Sequence, residues 1–428
     1  MKRHFSPVAY LVAAYFVFVF VWILAQLTPA QAQIRENSPV LDPIARLARQ
    51  LERGELELEF RPGSGYLESL FEFLDINVDS QVLVFSKTSF QHELISPRNP
   101  RAIYFNDTVA IGRVPGGDVL ELTALDPARG ISFYTLPAGK VEKPQFARRG
   151  VECMFCHGPG NHGAPGLVVA SVFPDAQGLP TYSTFFRGTD HRTPFTERWG
   201  GWYVTGLHGA QQHLGNAIAP NPERPVELQH VNTQNLTTLG NKFDTTIHLA
   251  PFSDIVALMT LEHQSGITNL INGLSARYRR AERQGFVGDA VWKTELDPAV
   301  EELVTYMVFA DEASLDDPVQ GTSTFTATFP RRGPQDRRGR SLRDFDLQTR
   351  LFRYPLSYMI YSEIFDRMPS RVKERVYRRL YDVLTGKEAT KPFAALSSDA
   401  RRAALDIIRE TKPNLPDYFL GNVSERAY

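Results

Sequence analysis

Residues 81–136 contain five short runs rich in β-branched and aromatic side chains, separated by Pro, Gly, Asn and Asp. The runs are QVLVFSK (81–87), AIYFN (102–106), TVAIGRV (108–114), DVLELTAL (118–125) and ISFYTL (131–136). Such runs bounded by turn residues are typical of β-strands. The stretch therefore predicts an antiparallel sheet of four or five strands.

Helical patterns lie on both sides of this stretch. LDPIARLARQLERG (41–54) has Asp42 as a candidate N-cap, Pro43 at the first helical position and Gly54 at its end, which favours a short amphipathic helix. Further helices are predicted at 66–74, 253–274, 298–309, 356–367, 371–384 and 398–410, and the segment 253–274 has a wide apolar face.

The predicted fold class is α+β, in three portions. Residues 33–143 form a helical and β-rich N-terminal portion, residues 144–320 a region with long loops and a core helix, and residues 321–428 a mainly helical C-terminal portion. A loop-rich stretch as long as 158–245 is usually functional or wrapped around a ligand. Residues 331–353 carry eight arginines against three aspartates, which predicts a solvated linker.

The first 32 residues have the features of an export signal. Lys2 and Arg3 precede the uncharged apolar run 8–25, and Ala30-Gln31-Ala32 has the small-x-small form of a cleavage site. The run is long enough that residues 1–32 fit either a cleaved signal peptide or an uncleaved anchor. Both alternatives predict a periplasmic or otherwise exported body, tethered to the inner membrane through residues 8–25 if the segment is not cleaved.

Charge and cysteine content exclude two classes of protein. The 428 residues hold 47 Lys+Arg and 48 Asp+Glu, a net charge of −1, whereas a nucleic-acid binder normally carries a basic excess that neutralises phosphates. The chain has two cysteines, too few for a disulfide-rich secreted scaffold.

Both cysteines lie in one pentapeptide, CMFCH (153–157), which has the C-x-x-C-H pattern of covalent haem attachment. Two cysteines three positions apart on a helix share a face, so both thiols can reach the two vinyl groups on one haem edge. The adjacent His157 then points its imidazole at the iron. Pro144 predicts the start of this helix and Gly158 its end.

The cysteine pair has three alternative uses. A structural zinc site needs four ligands, and the chain has no second cysteine pair to complete it. A thioredoxin-type redox pair follows a strand within a βαβ unit, whereas the residues before Cys153 have a helical pattern. A disulfide between cysteines so close in sequence would be strained. Haem attachment is therefore the favoured prediction.

The motif resembles that of c-type cytochromes. By that resemblance Cys153 and Cys156 are the thioether residues, His157 is the proximal iron ligand, and the cofactor is one covalently attached haem c. Over the rest of its length the chain resembles a group of large exported bacterial mono-haem proteins, in the stretches QVLVFSKTSFQ, RWGGWYVTGLHG, SDIVALMTLEHQ and LFRYPLSYMIYSEIF. It departs from the small electron-transfer cytochromes because long segments flank the motif on both sides.

The second axial ligand has several candidates. No methionine lies between the motif and Met259, but the chain there is rich in histidine. His208 and His213 follow the aromatic segment RWGGWYV (198–204), and neutral imidazole is a competent iron ligand. Met259 and His263 lie four positions apart on the predicted apolar helix. Each is also a plausible core residue, and a vacant axial position is a further alternative.

Charged residues near these candidates suggest supporting roles. Glu262 would orient the imidazole of His263 or face water. Arg192 and Arg198 would pair with the haem propionates or lie on the surface.

The leading functional prediction is an exported mono-haem c-type protein that transfers single electrons to or from a redox partner protein or a small-molecule donor or acceptor. The first alternative is a haem-dependent oxidoreductase with an open distal site, such as a peroxidase, in which His208, His213, His263 and Glu262 are candidate catalytic groups. Arg192-Thr193-Pro194 is similar to a segment of the di-haem cytochrome c peroxidases, although this chain has one haem motif instead of two. A haem-containing binding or sensing module is the second alternative.

Overall fold

A computed structural model of the chain describes residues 40–158, 163–180, 187–220 and 232–420. The predicted signal or anchor at 1–32 lies outside the described residues. Those from Asp42 onward belong to one compact unit, so the portions predicted to end at 143 and 320 are parts of a single body. Within the described ranges, no helix is both long and apolar enough to cross a membrane.

The strands form one main sheet and two small ribbons. Their bounds are β1 Val82–Val84, β2 Arg101–Phe105, β3 Val109–Arg113, β4 Val119–Asp126, β5 Gly130–Pro137, β6 Ala147–Arg149, β7 Ala170–Ser171, β8 Arg187–Gly188, β9 Trp202–Tyr203, β10 Gly206–Leu207 and β11 Gln320–Gly321. The main sheet is antiparallel, in the order β6-β5-β4-β3-β2-β1-β9. The predicted sheet is confirmed, and β6 and β9 extend it beyond the predicted strands.

The helices have the bounds α1 Pro43–Glu52, α2 Leu67–Leu74, α3 Val151–His157, α4 Ile255–Arg283, α5 Asp289–Val291, α6 Asp297–Met307, α7 Phe325–Thr328, α8 Glu363–Asp366, α9 Ser370–Leu384, α10 Ser398–Thr411 and α11 Asp417–Leu420. The α+β class is therefore confirmed, with an antiparallel sheet in the N-terminal part and a helical C-terminal half. The predicted first helix is confirmed too, because the Asp42 carboxylate caps α1 by accepting from the Ala45 N–H at 2.8 Å.

The main sheet separates two hydrophobic cores, because successive side chains of a strand point to opposite faces. On one face Leu83 and Tyr104 pack with residues of α1 and α2 in the smaller core. On the other face Val82, Phe105 and Phe133 join the larger core, which contains α4 and the C-terminal helices.

The long helix α4 is the main element of the larger core. Asp254 caps its first turn, accepting from the Val256 and Ala257 N–H groups at 2.8 and 3.0 Å. The apolar pattern had predicted a helix ending at residue 274, but α4 continues to Arg283. Its second half contains Asn269, which is hydrogen-bonded to the backbone of Leu167.

Two predictions of local structure were wrong, and a third holds only in part. The helix expected from Pro144 begins at Val151, because residues 147–149 pair with β5 as an edge strand. Residues 356–367 form a 3₁₀ turn and the short α8 instead of one helix. The basic segment 331–353 is a solvated linker only in part. Five of its eight arginines are exposed, but Arg343 is buried, pairs with Asp107 and lies over the rings of Phe329 and Tyr358.

Candidate haem-attachment site

Helix α3 carries the C-x-x-C-H motif on a short, poorly buried element. Cys153 and Met154 pack partly against the larger core, whereas the side chains of Val151 and Phe155 are 87% and 92% exposed. Gly158 ends the helix, and a Cβ at this position would approach the Met154 carbonyl oxygen to 2.7 Å. The chain can therefore turn away directly after His157.

Both thiols are free. Cys153 is half-buried and Cys156 is exposed, and their spacing puts them about one turn apart on α3. Burial raises the pKa of the Cys153 thiol to about 11 and also raises that of Cys156. The pair therefore lies at a partly exposed position on α3.

The imidazole of His157 is held in one tautomer. Its Nδ1 lies 2.8 Å from the Gly166 carbonyl oxygen, and since a carbonyl only accepts, Nδ1 carries the proton. Nε2 is left with the lone pair that an iron ligand needs. The ring packs on Phe133 of β5, with a centroid distance of 4.8 Å. Burial lowers the pKa of His157 and so favours the neutral imidazole.

An ion pair lies close to this histidine on the same face of the sheet. A guanidinium nitrogen of Arg101 lies 2.7 Å from a carboxylate oxygen of Glu121. The charge of Arg101 lowers the pKa of His157 and that of Glu121 raises it. Nε of Arg101 is buried and has no hydrogen-bond partner among the described residues. A guanidinium N–H in that position suits a carboxylate such as a haem propionate, so the site's chemistry fits the implied cofactor.

The two arginines for which the sequence left propionate binding or surface exposure open are both engaged in other contacts. Arg192 pairs with Asp190 at 2.7 Å. Arg198 is buried, lies 3.4 Å from Glu262 and donates to the carbonyl oxygens of Thr193 and His191. Arg101 was not a candidate, since a single arginine at the start of a strand gives no signal in the sequence.

His208 and His213 are neighbours in the structure, with ring centroids 4.7 Å apart. His208 is buried and uses both ring nitrogens, because Nδ1 donates to the Gln211 carbonyl at 2.7 Å and Nε2 accepts from the Asn235 N–H at 2.9 Å. Nδ1 of His213 accepts from the Gly215 N–H at 3.0 Å. Iron ligation by His208 would break an existing hydrogen bond.

His263 lies at the centre of a buried polar cluster that we name the α4 cluster. Its Nδ1 is 2.8 Å from Nδ1 of His191, and its Nε2 is 2.8 Å from the Ser357 hydroxyl. Desolvation lowers the pKa of His263 well below its ordinary value. The cluster consists of Thr189, His191, Arg198, Glu262, His263, Tyr306 and Ser357.

Glu262 neither contacts the imidazole of His263 through a hydrogen bond nor faces water. It is fully buried and accepts from the Thr189 hydroxyl at 2.6 Å and from Arg198 at 3.4 Å. Burial raises its pKa to about 7, against the attraction of Arg198. Met259, also a sixth-ligand candidate, is buried in the larger core.

The aromatic segment before His208 is part of the core. Trp199 and Trp202 are buried in the larger core and Tyr203 in the smaller one. Trp202 donates its indole N–H to the Ala170 carbonyl at 2.7 Å. These rings pack where β9 joins the sheet.

The structure thus brings the cysteines and His157 together on α3, and it groups Glu262 and His263 with residues that the sequence did not mark, above all His191.

Comparison of the chain with family models, with curated proteins and with solved structures gave no match.

Proposed function

We propose that the protein is an exported mono-haem c-type cytochrome that binds one haem c covalently and transfers single electrons to or from a redox partner protein or a small molecule. The observation that carries this proposal is the hydrogen bond from Nδ1 of His157 to the Gly166 carbonyl. It leaves Nε2 of a neutral imidazole directed away from its anchor, directly after two free thiols.

Each residue of the site has a defined part in this proposal. Cys153 and Cys156 would hold the porphyrin edge through thioether bonds, and His157 would supply one axial ligand. Arg101 would pair with a propionate through its unpartnered Nε. Phe133 would keep the imidazole plane fixed by ring contact. The haem, when bound, supplies the one-electron chemistry.

The direct test is expression of the full chain in a bacterial host that attaches haem c outside the cytoplasm. We expect one haem per chain by the pyridine haemochrome spectrum, and haem retained on the polypeptide after denaturing electrophoresis. Folded protein without haem, or haem that separates on denaturation, would contradict the proposal.

A second candidate function is a haem enzyme with an open distal position, such as a peroxidase. It is favoured by the engagement of both ring nitrogens in His208 and in His263, because neither can bind iron without losing a hydrogen bond worth about 1 kcal/mol or more. Carbon monoxide added to the reduced protein separates the two functions. An unchanged spectrum supports the electron carrier, and a shifted spectrum together with steady peroxide turnover supports the enzyme.

A further inference from the structure

The peptide group between Gly166 and Leu167 is hydrogen-bonded at both ends. Its carbonyl accepts from Nδ1 of His157 at 2.8 Å, and its N–H donates to Oδ1 of Asn269 on α4 at 2.7 Å. In a planar trans peptide the C=O and N–H bonds point in opposite directions. The two hydrogen bonds therefore form one continuous chain from α4, through the peptide, to the imidazole.

Asn269 holds this peptide in a fixed orientation. Its Nδ2 also donates to the Leu167 carbonyl at 2.8 Å, so its carboxamide binds both polar backbone groups of Leu167. A Cβ on residue 166 would lie 3.1 Å from Oδ1 of Asn269, which is closer than most side chains allow. Glycine at 166 thus lets the amide approach.

From this geometry we infer that Asn269 is a positioning residue for the proximal ligand, and this inference rests on the proposed haem function. Accepting from the Leu167 N–H polarises the peptide, so the Gly166 carbonyl becomes a stronger acceptor for Nδ1–H. A stronger bond at Nδ1 makes the imidazole a more basic ligand. A more basic ligand favours the oxidised iron, so the Asn269 side chain lowers the reduction potential.

The experiment is redox titration of the haem-loaded protein with Asn269→Ala. We expect the ratio of reduced to oxidised haem at a fixed applied potential to rise roughly tenfold. For a one-electron couple this means a reduction potential about 59 mV higher than in the wild type. Asn272→Ala is the matched control, because Asn272 lies on the same helix and its Nδ2 has no partner among the described residues. We expect that variant to stay within about twofold of the wild type. An equal shift of the reduction potential in both variants, or no shift in either, overturns the inference.

Gly166→Ala keeps the inference testable if Asn269→Ala does not fold. The new Cβ would press on the Asn269 amide, so we expect a shift in the same direction, and an unchanged potential would overturn the inference.

A haem-free protein separates this inference from the proposed function. In the Cys153→Ser, Cys156→Ser chain, nitrogen-edited NMR measures exchange of the His157 Nδ1 proton with water. We expect Asn269→Ala to speed this exchange roughly tenfold, because the hydrogen bond at Nδ1 opens more often once it is weakened. We expect Asn272→Ala to leave the exchange rate unchanged. Absence of haem in the wild type would contradict the proposed function only. Equal exchange rates in the haem-free chain and in its Asn269→Ala and Asn272→Ala variants would contradict the role of Asn269.

Discussion

Two histidines that the sequence marks as possible iron ligands lie in opposite environments. His157 lies on the seven-residue α3, which has no buried residue, and the one hydrogen bond described for its ring leaves Nε2 available. His263 lies on the 29-residue α4, is fully buried and has both ring nitrogens bonded. The second ring nitrogen distinguishes the two, because a histidine with both nitrogens hydrogen-bonded stabilises a core, whereas one with a free lone pair can bind a metal.

The largest effect expected on the α3 side is loss of the cofactor. Cys153→Ser combined with Cys156→Ser removes both thioether sulfurs, so we expect no haem on the chain after denaturing electrophoresis. Far-UV circular dichroism should stay unchanged, because both thiols are at least partly exposed. Haem that survives denaturation in this variant would break the assignment of α3 as the attachment site.

In that haem-free background, the two histidines should differ in how much each stabilises the fold. His263→Ala leaves His191 and Ser357 without their partner and opens a cavity, so we expect the free energy of unfolding in urea to fall by about 3–5 kcal/mol. His157→Ala should cost about 1 kcal/mol, since it removes one half-buried ring. Equal losses in the two variants would mean that both histidines are structural.

The pH dependence of stability isolates the α4 cluster. The pKa of Glu262 is about 7 in the folded chain and 4.5 at its ordinary value, so the folded state binds more protons between these limits. The contribution of Glu262 to the free energy of unfolding then falls by about 3 kcal/mol as the pH rises from about 4.5 to 7, and is level above that range. Burial lowers the pKa of His263, which acts in the opposite direction in both proteins, so the informative quantity is the difference between them. In urea unfolding we expect the free energy of the wild type minus that of Glu262→Gln to fall between pH 5 and pH 7.5.

Glu363→Gln is the control for that measurement, because Glu363 is exposed and its ion pair within the described residues is with Arg367. It should retain the wild-type pH profile. An identical pH profile in the wild type and in Glu262→Gln would show that the buried carboxylate does not titrate in this range.

The smallest effect is expected from the exposed ring of α3. Phe155 is 92% exposed, so Phe155→Ala in the haem-free chain should change the free energy of unfolding by no more than about 0.5 kcal/mol. Phe352→Ala is the matched change at a buried ring and should cost about 3–5 kcal/mol. A large loss from Phe155→Ala would mean that this ring is covered in solution without haem.

Local signals in the sequence predicted the elements that depend on few neighbours. Asp42 and Pro43 begin α1 where the capping pattern predicted, and the alternating runs 102–136 became β2 to β5. The motif likewise placed both cysteines and His157 on one helix ending at Gly158. In each case the determining residues lie within a few positions of one another.

The remainder depends on contacts between distant residues. Strand β9 has only Trp202 and Tyr203, and it forms because β1 offers an edge. Asn269 binds Leu167, which is 102 positions away, and His263 meets His191 across 72 positions. No periodicity marks such pairs, so the neighbours that orient His157 and those that occupy His263 could not be read from the sequence.

The strand order of the main sheet has a cost in conformational entropy. Strands β6 and β9 are its two edges, and the chain between them, residues 150–201, contains α3. Joining the ends of a long flexible segment costs conformational entropy that grows with its length. Pairing of β9 with β1 opposes that cost through two residues of β9, and Trp202 adds a hydrogen bond to the Ala170 carbonyl within the segment. Because so few bonds hold this edge, we expect β9 to open before the longer inner strands.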